Sequence, residues 1–96
     1  MNRILFIDTE TGGVNPKKHS LLSVGVVVWD AEKGIIYSNE MFIKSKEYVV
    51  TSTAQRINHF NPKIHDENSI EPKEFFASIE KIYKLYDSVM NKKEEE

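Results

Sequence analysis

Two carboxylates, Asp8 and Glu10, stand on alternate positions at the end of an apolar run, in ILFIDTETGG (residues 4–13). On an extended strand successive side chains point to opposite faces, so the pair projects one way, about 7 Å apart, and Thr9 the other. Carboxylate oxygens at that spacing can share hard divalent cations. Mg²⁺ takes octahedral oxygen coordination, commonly from one or two carboxylates plus substrate phosphates. Two such ions stabilise both the attacking and the leaving oxygen of a phosphodiester displacement. Without metal the two charges repel, and one tends to stay protonated. Gly12 and Gly13 follow at once and let a ligand approach the backbone closely. Taken alone, however, such a pair is more often solvated residues at the lip of a sheet.

The elements that must position the pair follow from periodicity. Residues 3–8 (RILFID) predict a buried strand, and 11–20 (TGGVNPKKHS) an exposed loop. Residues 21–30 (LLSVGVVVWD) predict a valine-rich strand with Leu22, Val24, Val26 and Val28 on one face. Leu21, Val27 and Trp29 fall on the other, the pattern of a strand covered on both sides. DAEKG is turn chemistry, and 35–43 is the return strand of a hairpin. The period then changes. Thr51, Ser52 or Thr53 can cap a short helix running to about Phe60, which Asn61-Pro62 ends. Residues 61–71 read as a polar loop. Pro72 suits the first turn of a second helix. In it Phe75, Phe76, Ile79, Ile82, Tyr83, Tyr86 and Met90 form one apolar stripe, and all of it is expected in the core. Residues 1–90 thus form one domain, and 91–96 a frayed, charged tail.

Composition narrows the function. The 96 residues are 40% hydrophobic and 29% charged, with a net charge of −2 and a pI near 5.9. That balance argues against a broad electrostatic nucleic-acid binder. It leaves room for an enzyme whose metals neutralise substrate phosphates. With no cysteine there is no disulfide, thiolate chemistry or sulfur-based zinc site. No signal peptide or apolar run of membrane-spanning length is present, so no membrane partner is expected, and a cytoplasmic location is.

The stretch ILFIDTETGGVNPKKHSLLSVGVVVWD resembles the first motif of the DEDD superfamily of 3′–5′ exonucleases, the RNase T-like and DnaQ-like enzymes. That motif is an apolar strand, D-x-E-T-x-G, a short loop, and a second strand of the LLxIG kind. Asp8, Glu10, Thr11, Gly13 and Gly25 all match. AQRINHFNP (54–62) is similar to the family's short helix through Ala54, Ile57, Asn58 and Phe60, with His59 where glycine is usual. EPKEFFASIEKIYKLY (71–86) matches its next helix in position and pattern.

The resemblance implies an α/β, ribonuclease H-like fold, truncated here to a three-stranded, mainly antiparallel sheet with two helices. It implies that Asp8 and Glu10 are catalytic and hold Mg²⁺ or Mn²⁺, two ions in the complete site. Thr9, Thr11, Gly12, Gly13, Ile57 and Asn58 would seat the end of a single-stranded or 3′-ended nucleic acid. The second and third acidic segments of the family, H-N-x-x-F-D and H-x-A-x-x-D or Y-x-x-x-D, are not in these residues. Asp87 lacks their context and does not take the second role. The expectation is an N-terminal half-domain with little activity by itself. It would be completed by a second copy or by a companion chain.

Two further readings stand beside it. One is a non-catalytic nucleic-acid-binding or protein-interaction module. The other is a ribonuclease H-type nuclease, which shares the sheet start. His19, His59 and His65 read as ordinary solvated side chains, and Lys17 and Lys18 as surface near the site. Trp29 and Tyr37 read as packing residues.

Overall fold

A computed structural model describes the backbone of residues 2–95 and the side chains as far as residue 88. Strand β1 (Arg3–Thr11) runs three residues beyond the expected 3–8, so both carboxylates lie inside the strand. It pairs antiparallel with β2 (Leu21–Asp30), which pairs antiparallel with β3 (Gly34–Ile43). The hairpin between them is closed by Asp30. Its Oδ1 accepts the backbone N–H groups of Glu32 (2.8 Å) and Lys33 (3.1 Å). Gly34 supplies the positive φ (80°) that the turn needs.

Helix α1 (Ser52–Asn58) starts where Thr51 Oγ1 accepts the Ala54 N–H at 3.0 Å. His59 ends it in the left-handed conformation (φ 52°), with its N–H on the Gln55 carbonyl. The histidine therefore adopts the backbone shape usually left to glycine at a helix end. Residues 61–71 are not a loop. Asn61 caps a second short helix, α2 (Pro62–Asn68), accepting the N–H groups of Lys63 and Ile64, and Pro62 opens it. Asn61-Pro62 thus begins the second helix and does not end the first, which His59 has already closed two residues earlier. A two-residue strand, β4 (Ser69–Ile70), then pairs parallel with Phe42 and Ile43. Helix α3 (Pro72–Glu95) follows. Among the described residues the architecture is a four-stranded mixed sheet in the order β1-β2-β3-β4 with three helices, one strand and one helix more than expected. The side chains of the charged tail and of Met90 lie outside the described residues.

One face of the sheet carries the core. Val24, Val26 and Val28 of β2 and Met41 and Ile43 of β3 are buried against Phe75 and Ile82 of α3. Each buried valine contributes about 2 kcal/mol. Of the apolar stripe, Ile79 and Tyr86 reach this core, and Leu85 joins it. Phe76 and Tyr83 do not; they are 67% and 56% exposed. They flank the Phe75–Ile79–Ile82–Tyr86 line, so their side chains fall outside the contact with the sheet. α3 is pinned to the sheet by Arg3. Its Nε donates to Asp30 Oδ2 at 3.0 Å, and its Nη1 donates to the Leu85 carbonyl and to Ser88 Oγ.

The other face is only partly covered. Residues paired directly across antiparallel strands share a face. The register Ile4↔Trp29, Phe6↔Val27, Asp8↔Gly25 and Glu10↔Ser23 therefore puts these residues on the side away from α3. At the Glu10 end this face is roofed by Phe60 and His65, whose rings meet edge-on with centroids 5.1 Å apart. At the other end Ile4, Phe6, Trp29 and Ile35 are exposed. β2 is thus fully covered on one face only.

Candidate active site

Asp8 and Glu10 project together from the partly covered face of β1, opposite Gly25 and Ser23. Both are exposed, and neither joins an ion pair among the described residues. Gly25 leaves a gap in the row beyond Asp8. The register continues Asp8–Gly25–Glu40, so a third carboxylate stands on the same face two strands away, about 10 Å off. Glu40 shares one shallow hollow with Asp8 and another with Glu10. Sequence reading passed over it. Strand alternation and the hairpin register together could have placed it.

Beside Glu10 opens a cleft of about 930 Å³. Its floor is the end of β1, with Thr9, Glu10, Thr11 and Gly13; its far wall is α1, with Thr53, Ala54, Ile57 and Asn58. Val14, Pro16, His19 and Leu21 close the remaining side. The wall is mainly apolar. Of the expected site residues, the cleft gathers Thr9, Glu10, Thr11, Gly13, Ile57 and Asn58. Asp8 lies just outside it. Gly12 does not reach it. It is buried under the loop, where its N–H donates to Ser20 O (2.7 Å) and its carbonyl accepts the Thr51 N–H (2.7 Å). A Cβ on Gly12 would fall 2.1 Å from the Val49 carbonyl oxygen.

The rim of the cleft is held by two hydrogen bonds. Thr11 Oγ1 donates to the Gly13 carbonyl at 2.9 Å, and Asn58 Nδ2 donates to the Thr11 carbonyl at 3.1 Å. The second ties α1 to the end of β1 across 47 residues of sequence.

The histidines divide. His59 is exposed at the end of α1. His65 is buried; its Nε2–H donates to the Ile43 carbonyl at 2.9 Å inside a cage of Phe42, Tyr48 and Phe60. Burial, and then the hydrogen bond to Asp66, push the Tyr48 hydroxyl above the ordinary phenol range. His19 lines the cleft. Neither His19 nor His65 is the solvated loop residue that its neighbours in sequence suggested. Lys17 and Lys18 are exposed.

The sequence model of the RNase T family, described as exonuclease, matches residues 5–92. The chain belongs to this exonuclease family. That decides against the ribonuclease H branch. The chain is also similar to solved structures of exonuclease I. A product-bound exonuclease I matches with TM-score 0.74 and 21% identity, over 88% of this chain and 20% of that one. Escherichia coli exonuclease I in complex with a dT13 oligonucleotide matches with TM-score 0.73 and 21% identity, over 86% and 18%. A metal-free complex of the E. coli enzyme with single-stranded DNA gives the same values. At this identity the likeness speaks for the fold, and the chain spans about a fifth of those proteins. No curated protein sequence matches it.

Proposed function

We propose that this chain is the N-terminal half of a 3′–5′ exonuclease domain, acting on the terminal phosphodiester of a single-stranded or 3′-ended nucleic acid. The observation that carries the reading is the placement of Glu10. One carboxylate belongs both to the Asp8 pair and to the wall of an apolar cleft large enough for a nucleoside. Asp8 and Glu10 offer hard, unpaired oxygens on an open face, which suits Mg²⁺ or Mn²⁺. Bound there, such ions would supply charge stabilisation to the attacking and leaving oxygens. Glu10 would orient the attacking water, and Thr11, Gly13, Ile57 and Asn58 would hold the terminal nucleotide.

The fit is partial. Among the described residues no three His, Cys, Asp or Glu side chains gather closely enough to hold an ion. Metal affinity is therefore weak, and the chain alone turns over little substrate. Missing general acid–base help costs about 10²–10⁴-fold by itself. The same observation favours the second reading, a non-catalytic module that binds nucleic acid or another protein. A companion chain or second copy would restore the ligand set.

Titration calorimetry with Mn²⁺ tests the site. Weak binding that Asp8→Asn abolishes is the expected result; unchanged affinity places the metal elsewhere. Release of mononucleotides from single-stranded DNA tests the activity. Robust release by the pure chain, lost in Glu10→Ala, would mean that self-association completes the site.

A further inference from the structure

Inside the cleft several polar side chains are already engaged, and the Thr9 and Thr53 hydroxyls, which make no hydrogen bond among the described residues, are free rotors. Thr11 Oγ1 is bonded to Gly13, Thr51 Oγ1 to the Ala54 N–H, and Asn58 Nδ2 to Thr11. Glu10 can only accept when ionised. His19 differs. Its Nδ1 accepts the Asn15 backbone N–H at 3.1 Å, and the His19 backbone N–H donates to the Asn15 carbonyl at 2.8 Å. An Nδ1 that accepts leaves the neutral ring's proton on Nε2. That N–H has no hydrogen-bond partner among the described residues.

The ring is also fixed in place. Its atoms lie so close to Gly13 that a Cβ there would come within 2.5 Å of Nδ1. Glycine at 13 and histidine at 19 therefore fit as a pair, and the bond from the Asn15 N–H to Nδ1 orients the imidazole. A donor held in this way loses little entropy when it binds. The cleft it lines exposes mainly apolar surface, with Val14, Pro16, Leu21 and Ile57 among its walls. Such a wall favours the uncharged face of a base over a phosphate, which would lose its hydration there.

We propose that His19 is a specificity-determining residue, its Nε2–H donating to a carbonyl oxygen or ring nitrogen of the terminal base. The inference rests on the reading that the cleft seats a terminal nucleoside. It goes further by placing the contact on the base and not on the sugar or phosphate.

The test is a long-range ¹H–¹⁵N correlation spectrum of the histidine rings in the full chain at pH 8. Thymidine 5′-monophosphate and 2-deoxyribose 5-phosphate are added separately with Mg²⁺. His19 is expected to show a bare Nδ1 and a protonated Nε2. Its Nε2 signal should move with the nucleotide and stay with the sugar phosphate, while His59 stays in both. His19→Phe keeps a ring against Gly13 and should weaken nucleotide binding about fivefold, the worth of one ordinary hydrogen bond. It should leave sugar phosphate binding unchanged. The inference is overturned if Nδ1 carries the proton. It is overturned too if the Ile57 and Asn58 amides respond to nucleotide while His19 Nε2 does not, or if both ligands move it equally. A proton on Nδ1 leaves the wider reading untouched, and in the other two cases the cleft still binds a nucleotide, so that reading survives. If no cleft residue responds to either ligand, the nucleoside reading fails and the role of His19 with it.

Discussion

Asn58 hands its side-chain amide to the carbonyl of Thr11, 3.1 Å away, and so fastens helix α1 to the last residue of β1. The bond spans the mouth of the cleft, with Glu10 on one side and Ile57 on the other. Asn58→Ala is expected to cost about 1 kcal/mol of stability, the net value of a partly exposed hydrogen bond. Asn58→Asp removes the donor and also sets a second carboxylate beside Glu10, so it should cost more at neutral pH than at pH 4. Chemical denaturation at the two pH values distinguishes these outcomes. Equal stability of all three proteins would mean that the bond does not hold the cleft.

Gly12 and Gly13 look interchangeable in sequence and are not. A methyl group on Gly12 meets the Val49 carbonyl oxygen at 2.1 Å, and what it strikes is the Val49–Val50 backbone, which cannot swing aside. Gly12→Ala should lose about 3 kcal/mol. On Gly13 the obstacle is the His19 side chain, which can swing away. Gly13→Ala should therefore stay folded but displace His19 from the cleft. Denaturant midpoints separate the first effect from the second. Similar losses in both variants would contradict this division.

Much of this arrangement was legible in the residues. Asp8 and Glu10 share a face because strands alternate, although the strand ends at Thr11 and not at the expected residue 8. The hairpin, a cap among Thr51, Ser52 and Thr53, and the core line of α3 followed from local chemistry. What escaped depended on partners far along the chain. His19 sits among Pro, Lys and Ser, and only its ring's contact with Gly13 takes it out of solvent. His65 is buried because Phe42, Tyr48 and Phe60 converge on it from three segments. α2 was hidden because Asn61-Pro62 reads as a helix stop, whereas His59 stops α1 and Asn61-Pro62 starts the next helix. Phe76 and Tyr83 matched the apolar period, but the sheet is too narrow to reach them.

The Arg3–Asp30 pair gives stability a dependence on acid. The Arg3 guanidinium, then the Glu32 N–H, hold the Asp30 carboxyl below the usual carboxylate range. A lowered folded-state pKa stabilises above the unfolded value, near pH 4, and that contribution is lost as pH falls through the folded value. Asp30→Asn keeps an oxygen for the turn N–H groups but loses the charge. Its melting temperature should lie below wild type at pH 7, and the gap should close below pH 4. Thermal melts at pH 7, 4 and 2.5 measure it. A gap that persists at pH 2.5 would assign the effect to packing of the turn.

The last expectation concerns the free edge of β1. The Asn2 carbonyl accepts the Ala31 N–H at 2.7 Å, which marks the even residues of β1 as those bonded to β2. The N–H and C=O groups of Arg3, Leu5, Ile7 and Thr9 therefore face away from the sheet, with no strand beyond them among the described residues. Beside this edge Phe6 is 54% exposed and Ile7 58%. An unpaired apolar edge is a template for another strand. At micromolar concentration the chain should sediment as a dimer or larger species, or capture a chain that supplies a strand. Ile7 pairs with Val26 on the core face but stands at its open margin, so Ile7→Lys places an exposed charge on the edge and should shift the population to monomer with little change in melting temperature. If wild type sediments as a monomer across that range and Ile7→Lys changes nothing, the edge is not sticky and the association reading falls.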